Sequence, residues 1–236
     1  MMLAVLLAGS VMVPAAMAAE DRIVSNGTTY KTTYVGMKSS WTVYERYGDA
    51  MDPEDYRWKS SNKSVATVNS SGVVTAKKTG KTTITATNRY DSSDKTKMVL
   101  TVKANKANIR TSKPSASAVS YKGWDVFLKS VNIVSPTRVD VEYYLVCNYP
   151  SSWKAVKLKS MKDYIRAYDK SSDSYVTTIV DGYGSTVYNF NPRKGRSVQT
   201  IKITYKGSAV FDTNVRLSKY NYYYYPEGVL TRKEYY

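Results

Sequence analysis

Between Tyr56 and Ala86 the chain alternates apolar and polar residues in short bursts, and each burst ends in a turn. Tyr56 and Trp58 stand two apart, so both point to one face of a strand. A polar turn over Ser60 to Lys63 leads into Val65-Ala-Thr-Val68. Asn69-Ser-Ser-Gly72 then supplies a second turn, ending in the residue that tolerates positive φ. Val74 and Ala76 resume the alternation, Thr79-Gly80 turns again, and Thr82, Ile84 and Ala86 make the next inward row. Strands this short and this evenly punctuated predict a small antiparallel sandwich with Trp58 in its core.

The run from Trp58 to Ala76, with Gly80 and Ile84-Thr-Ala86, resembles the bacterial Ig-like domain group 2 (BIG2) family. The resemblance reaches back to Gly36, where the family has a glycine before its second strand, and forward to the closing strand Met98-Val-Leu-Thr-Val102. Trp41 stands where the family usually has an aliphatic residue. Residues 22–103 are covered, roughly a third of the chain. The resemblance implies an extracellular sandwich of the kind found in surface adhesins, wall-associated proteins and carbohydrate-active enzymes. It implies no reaction, because a fold hosts sites without dictating them.

Ahead of this unit, Met2 to Ala19 is uncharged and apolar, interrupted by Gly9-Ser10 and Pro14, and Ala16-Met17-Ala18 fits a small-x-small cleavage site. Residues 1–18 are therefore expected to be a signal peptide; a retained anchor or a mis-called start is the alternative. No basic n-region precedes the apolar run, which fits a start lying inside a longer signal peptide. The expected location is secreted or cell-surface, with no transmembrane anchor after cleavage and no nucleic acid as partner.

The single cysteine, Cys147, allows no intramolecular disulfide. It lies in an alternating strand with Leu145, Tyr143, Val141 and Val139 and reads as a small buried hydrophobe. With no histidine anywhere, the chain lacks the commonest zinc ligand and the imidazole-based nucleophile pairs. No catalytic residue, cofactor or metal site is expected.

Residues 104–118 are small, polar and basic around Pro114 and read as a linker, although Ile109 is a candidate start for a pairing strand. Residues 119–236 read as a second β-sandwich domain, Tyr-rich and basic. Its expected strands include Val176 to Val180, Thr186 to Phe190, Ser197 to Tyr205 and Asn214 to Tyr225, with Asp181-Gly-Tyr-Gly184, Asn191 to Gly195 and Lys206-Gly207 as turns. Met161 to Tyr168 fits a strand, in which Asp163, Ile165 and Ala167 alternate against Tyr164, Arg166 and Tyr168, or else a short helix. The whole chain is thus expected to be all-β: two Ig-like antiparallel β-sandwich domains in tandem after a signal peptide. The second unit weakly resembles FxLYD-type extracellular β-sandwich domains in Ala167-Tyr168-Asp169, the Pro192-Arg-Lys-Gly195 turn and the Val215 to Tyr220 strand. Its tyrosine run departs from that pattern.

Charge is uneven. Glu20 to Lys103 carries a net +5 and the remainder +11. Lys154, Lys157, Lys159, Lys162 and Arg166 form one dense group, and Arg193, Lys194 and Arg196 a second. In an exported protein these are candidate contacts for a cell-wall polyanion, or else a solvated basic surface. Tyrosine is the other excess, 23 residues against 3 Phe. In the run Tyr220, Tyr222, Tyr223, Tyr224 and Tyr225, period two separates the even from the odd positions: one row is core, and the other an aromatic platform for sugar rings or an edge of cross-strand pairs. Loop acids Asp49, Asp52, Glu54 and Asp55, and Asp91 with Asp94, lack the spacing of a defined calcium motif.

Two classes of function remain at this point. One is a non-catalytic secreted or surface protein, its Ig-like unit a spacer or adhesion module and its basic unit a binder of wall polyanion, glycan or a host surface protein. The other is an accessory or enzymatic component of an extracellular carbohydrate-active system.

Overall fold

The structure, a computed structural model, describes residues 21–45, 48–109, 119–121, 124–147, 155–190, 197–207 and 215–233. Their regular elements are β-strands joined by turns and short 3-10 segments. Expectations for residues 1–18, the turn at 191–195 and the side chain of Cys147 lie outside what is described.

The first unit contains β1 (Asp21–Val24), β2 (Thr28–Tyr34), β3 (Lys38–Tyr44), β4 (Tyr56–Ser60), β5 (Ala66–Val68), β6 (Val73–Ala76), β7 (Gly80–Asn88) and β8 (Lys95–Lys103). They form two sheets, ordered β1-β3-β6-β5 and β2-β8-β7-β4. The expected antiparallel pattern is corrected at two places, since β1 pairs with β3 and β2 with β8 in parallel. The reason is local: Asn26, at φ 57, turns the N-terminal strand from one sheet to the other.

Between the sheets lie Ile23, Val35, Trp41, Val74, Ile84, Met98 and Leu100, all at most 2% exposed. The buried indole is therefore Trp41, at 1% exposure, whereas Trp58 is only partly buried. Trp58 lies on β4, the last strand of its sheet, which is hydrogen-bonded as a strand to β7 alone among the described residues. Its Nε1 donates to the Pro53 carbonyl at 2.9 Å. The polar signature beside it closes a turn: Thr82 Oγ1 meets Ser60 Oγ at 3.0 Å and accepts from the Asn62 N–H at 2.9 Å. At the next turn Gly72 takes φ 71, and a Cβ there would sit 2.5 Å from the Trp41 carbonyl oxygen.

The expected linker starts as structure. β9 (Asn105–Asn108) pairs antiparallel with β11 (Trp124–Ser135). Asn105 is 1% exposed; its Nδ2 donates to the carbonyls of Val35 and Val215 at 3.1 Å each, and its Oδ1 accepts from the Leu217 N–H at 2.9 Å. One amide thus ties the first unit to the second, and the buried apolar residues of both belong to one cluster. Beside it the Arg216 guanidinium lies 4.7 Å from the Tyr34 ring centre. Asn105→Ala leaves buried backbone groups unpaired at about 1–3 kcal/mol each. Thermal unfolding of that variant should split into two transitions in place of one.

The second unit continues with β10 (Val119–Tyr121), β12 (Arg138–Cys147), β13 (Ala155–Asp169), β14 (Ser174–Phe190), β15 (Ser197–Lys206) and β16 (Asn221–Lys233). Its sheet order is β10-β11-β12-β15-β14-β13-β16, with β9 also on β11. The β14–β15 ladder narrows to the pair Ser185 and Thr204, so the two halves of the sheet are joined at a corner. Val131, Ile133, Val139, Val141, Tyr143, Ile165, Ala167, Ile179, Ile201, Ile203 and Tyr205 are buried together between them. Met161 to Tyr168 is strand, as the alternation favoured.

Two expected boundaries are corrected. Asp181 to Gly184 is not a turn: β14 runs through it, because Gly184 lies against Ile203 and Tyr205, where a Cβ would approach Ile203 Cγ2 to 2.4 Å. Nor is Val215 to Tyr220 a strand. Leu217–Lys219 is a 3-10 turn that places Leu217, fully buried, in the core beside Asn105.

Candidate functional site

Along β13 the inward positions Asp163, Ile165 and Ala167 are buried, which turns Lys162, Tyr164, Arg166 and Tyr168 to the outer face. β14 runs antiparallel on one side, pairing Lys162 with Tyr183, Tyr164 with Asp181, Arg166 with Thr178 and Tyr168 with Tyr175. β16 runs on the other side and brings Tyr225 opposite Tyr164 and Tyr223 opposite Arg166 in register. The basic run and the tyrosine run are far apart in sequence, yet they occupy neighbouring strands of one sheet.

Arg166 organises this face. Its guanidinium carbon lies 3.9 Å from the Tyr175 ring centre and 5.9 Å from that of Tyr164. Such contacts contribute about 0.5–1 kcal/mol at exposed positions and fix the planes of the partners. Tyr168 meets Tyr175 edge-on at 5.5 Å and donates its hydroxyl to Asp173. Tyr175 is 46% exposed and Tyr183 67%. The result is a shallow array of rings with a cation laid among them, able to stack on a flat ligand and to pair with an acidic group on it.

The predicted residues divide as follows. Lys162 and Arg166 belong to this face. Lys157 pairs with Asn189 and Thr231 further along β13, and Lys159 falls at a register break between Leu158 and Ser160. Lys154, Arg193, Lys194 and Arg196 lie outside the described residues. Tyr222 packs half-buried against the core and donates its hydroxyl to the Leu217 carbonyl; burial pushes that hydroxyl's pKa up. Tyr224 stands opposite buried Ile165 in register. Tyr220 and Tyr222 also help line a cavity of about 350 Å³ beside Asn108, Ile109 and Ser218. Tyr164, Tyr168, Tyr175 and Tyr183 were not among the predicted residues, although the alternation of β13 already set Tyr164, Arg166 and Tyr168 on one side.

Elsewhere in the second unit part of the basic excess is paired. On β12, Asp140 binds Arg138 at 3.0 Å, Lys202 at 2.6 Å and the Thr204 hydroxyl at 2.9 Å. Burial opposes ionisation of Asp140, but those three partners outweigh it and hold its carboxyl below the usual range. Of the acidic loops, Asp52 accepts from the Glu54 N–H, Asp91 from Ser93, and Asp94 from Ser25 and Tyr56. Among the described residues no group of three or more Cys, Asp or Glu has metal-binding geometry. No helix among them is long and apolar enough to cross a membrane.

Residues 23–102 match the family model of the bacterial Ig-like domain (group 2). No curated protein matches the chain. Among solved structures, a protein from Archaeoglobus fulgidus superposes with a TM-score of 0.23 at 6% identity, over 50% of this chain and 100% of that one. The secreted serine protease VesC from Vibrio cholerae gives a TM-score of 0.15 at 11% identity, over 71% of this chain and 40% of that one. Neither likeness is close enough to inform fold or function.

Proposed function

We propose that this chain, whose residues 23–102 form a bacterial Ig-like domain of group 2, is a non-catalytic extracellular or surface protein whose second unit binds an acidic glycan or wall polymer. The observation that carries the reading is the outer face of β13 and β14, where Arg166 lies over Tyr175 and exposed Tyr183 stands opposite Lys162 further along the same face. Rings suit the flat faces of sugars, and the cation suits a carboxylate or phosphate on them. The +11 imbalance of this half of the chain draws polyanions toward it over a distance set by salt.

Isolated walls bearing an anionic polymer are the probe. The full chain should bind them at about 0.1 M salt and release in part at about 1 M, as the Debye length falls from about 10 Å to about 3 Å. K162Q/R166Q should weaken the low-salt binding severalfold. Tyr183→Ala should instead lower the fraction that survives high salt. Binding indifferent to salt and to all three substitutions overturns the reading.

A further inference from the structure

We propose that the Ig-like unit has a ligand site of its own: a groove along edge strand β4, with Trp58 in its wall, that takes an extended anionic polysaccharide. This goes beyond the reading above, which assigns binding to the second unit alone. β4 and β5 each end their sheet, and their margins lie side by side, bridged where Ser60 Oγ donates to the Ala66 carbonyl at 2.8 Å. Between and around them lies an open groove of about 640 Å³.

Its lining is chemically one-sided. Arg57, Lys59, Lys63 and Lys95 rim it, all exposed, and none has an acidic partner among the described residues. This contrasts with Arg138 and Lys202 in the second unit, which are paired to Asp140. The nearby acids Asp91 and Asp94 make their hydrogen bonds to Ser93 and to Ser25, Tyr56 and Asn88, and form no ion pair with these cations among the described residues. Four cations at one groove, none held in an ion pair, leave a local positive excess that favours an anion. The hydroxyls of Thr67, Thr87 and Ser92 also line it, and none has a hydrogen-bond partner among the described residues.

Trp58 supplies the flat surface. Its nitrogen is tied to the Pro53 carbonyl, and its Cζ2 lies 3.0 Å from where a Cβ would project from Gly72. The ring is thus fixed in orientation by a hydrogen bond and by a residue without a side chain, and it stays partly exposed. A fixed indole, free hydroxyls and a rim of cations together match a sugar ring, its hydroxyl groups and its carboxylate or phosphate substituents. The groove is open along the strand, which fits a polymer better than a free monosaccharide.

Affinity electrophoresis of the full chain in gels containing polygalacturonate, dextran phosphate or neutral dextran tests this. Both acidic polymers should retard the chain and dextran should not; which one binds more tightly tells carboxylate from phosphate preference. R57Q/K59Q/K63Q changes exposed side chains only. It should keep the melting temperature and lose about tenfold in affinity, as expected for three surface charge contacts. Trp58→Phe should reduce the binding that remains at about 1 M salt, where charge is screened. Full retardation of the triple variant overturns the proposal. If in that case K162Q/R166Q still weakens binding, the reading of the second unit stands alone. Loss in the triple variant with none in K162Q/R166Q leaves this groove as the site and removes the other. Single-stranded DNA competing as well as the acidic glycans would overturn the assignment of a polysaccharide.

Discussion

Trp41→Ala should unfold the Ig-like unit, while Trp58→Ala should leave it folded. The two indoles belong to one sandwich, but Trp41 is 1% exposed between the sheets and Trp58 is partly exposed on edge strand β4. Removing a fully buried Trp costs about 3–5 kcal/mol, from lost transfer energy and from the cavity that remains. A small domain has about 5–15 kcal/mol in total, so the loss takes a large part of its stability. Trp41 also donates its Nε1 to Ser39 at 2.6 Å, a bond lost together with the ring. Trp58→Ala removes contacts on one side only and should cost well under half as much. Urea unfolding of both variants, followed by far-ultraviolet circular dichroism, gives the comparison. Equal midpoints would show that the sheet margin at β4 is closed in solution.

The inversion of these two tryptophans also shows how far the sequence can be read. Period two correctly placed Tyr56 and Trp58 on one face, and the turns at Asn62, Gly72 and Gly80 fell where polar residues and glycine required them. What alternation does not encode is which strand ends a sheet, since that depends on pairings between residues far apart in the chain. For the same reason Asn105 read as linker: its three buried backbone partners come from positions 35, 215 and 217. Asp181-Gly-Tyr-Gly184 read as a turn because glycine twice in four residues is a turn signal. There Gly184 serves close packing on Ile203 and Tyr205 instead.

The candidate site was legible in parts that could not be assembled. Tyr164, Arg166 and Tyr168 share a face by alternation alone, and so do Tyr223 and Tyr225. That these two rows stand side by side is a fact of the β13–β16 register, which no local pattern specifies. The basic run and the tyrosine run are separate in the sequence and lie on neighbouring strands once β13 and β16 pair.

Raising the pH from about 5 to about 8 should destabilise the second unit, and Asp163→Asn should abolish that loss. Asp163 sits on the inward face of β13, 1% exposed, beside Tyr205. Its Oδ2 accepts from the Tyr205 hydroxyl at 3.1 Å, while its Oδ1 has no hydrogen-bond partner among the described residues. Burial therefore pushes its carboxyl up to about 7, against smaller opposing effects from the Tyr205 hydroxyl and the Tyr164 N–H. The Tyr205 hydroxyl is raised in turn, by burial first and by Asp163 second. In the unfolded chain the same carboxyl titrates near 3.9. Below about pH 4 both states hold the proton and the folded state keeps its full stability. From there to about 7 the unfolded chain releases the proton and the folded core does not, so stability falls steadily. Above 7 the loss levels off at about 4 kcal/mol, three pKa units at 1.36 kcal/mol each. Asparagine has the shape of the protonated acid and still accepts from Tyr205, so the variant should be flat across this window and more stable than the unsubstituted chain at pH 8. Urea midpoints of both chains at pH 5 and pH 8 decide it. An unsubstituted chain as stable at pH 8 as at pH 5 would mean that water reaches Oδ1 and that this end of the core is open.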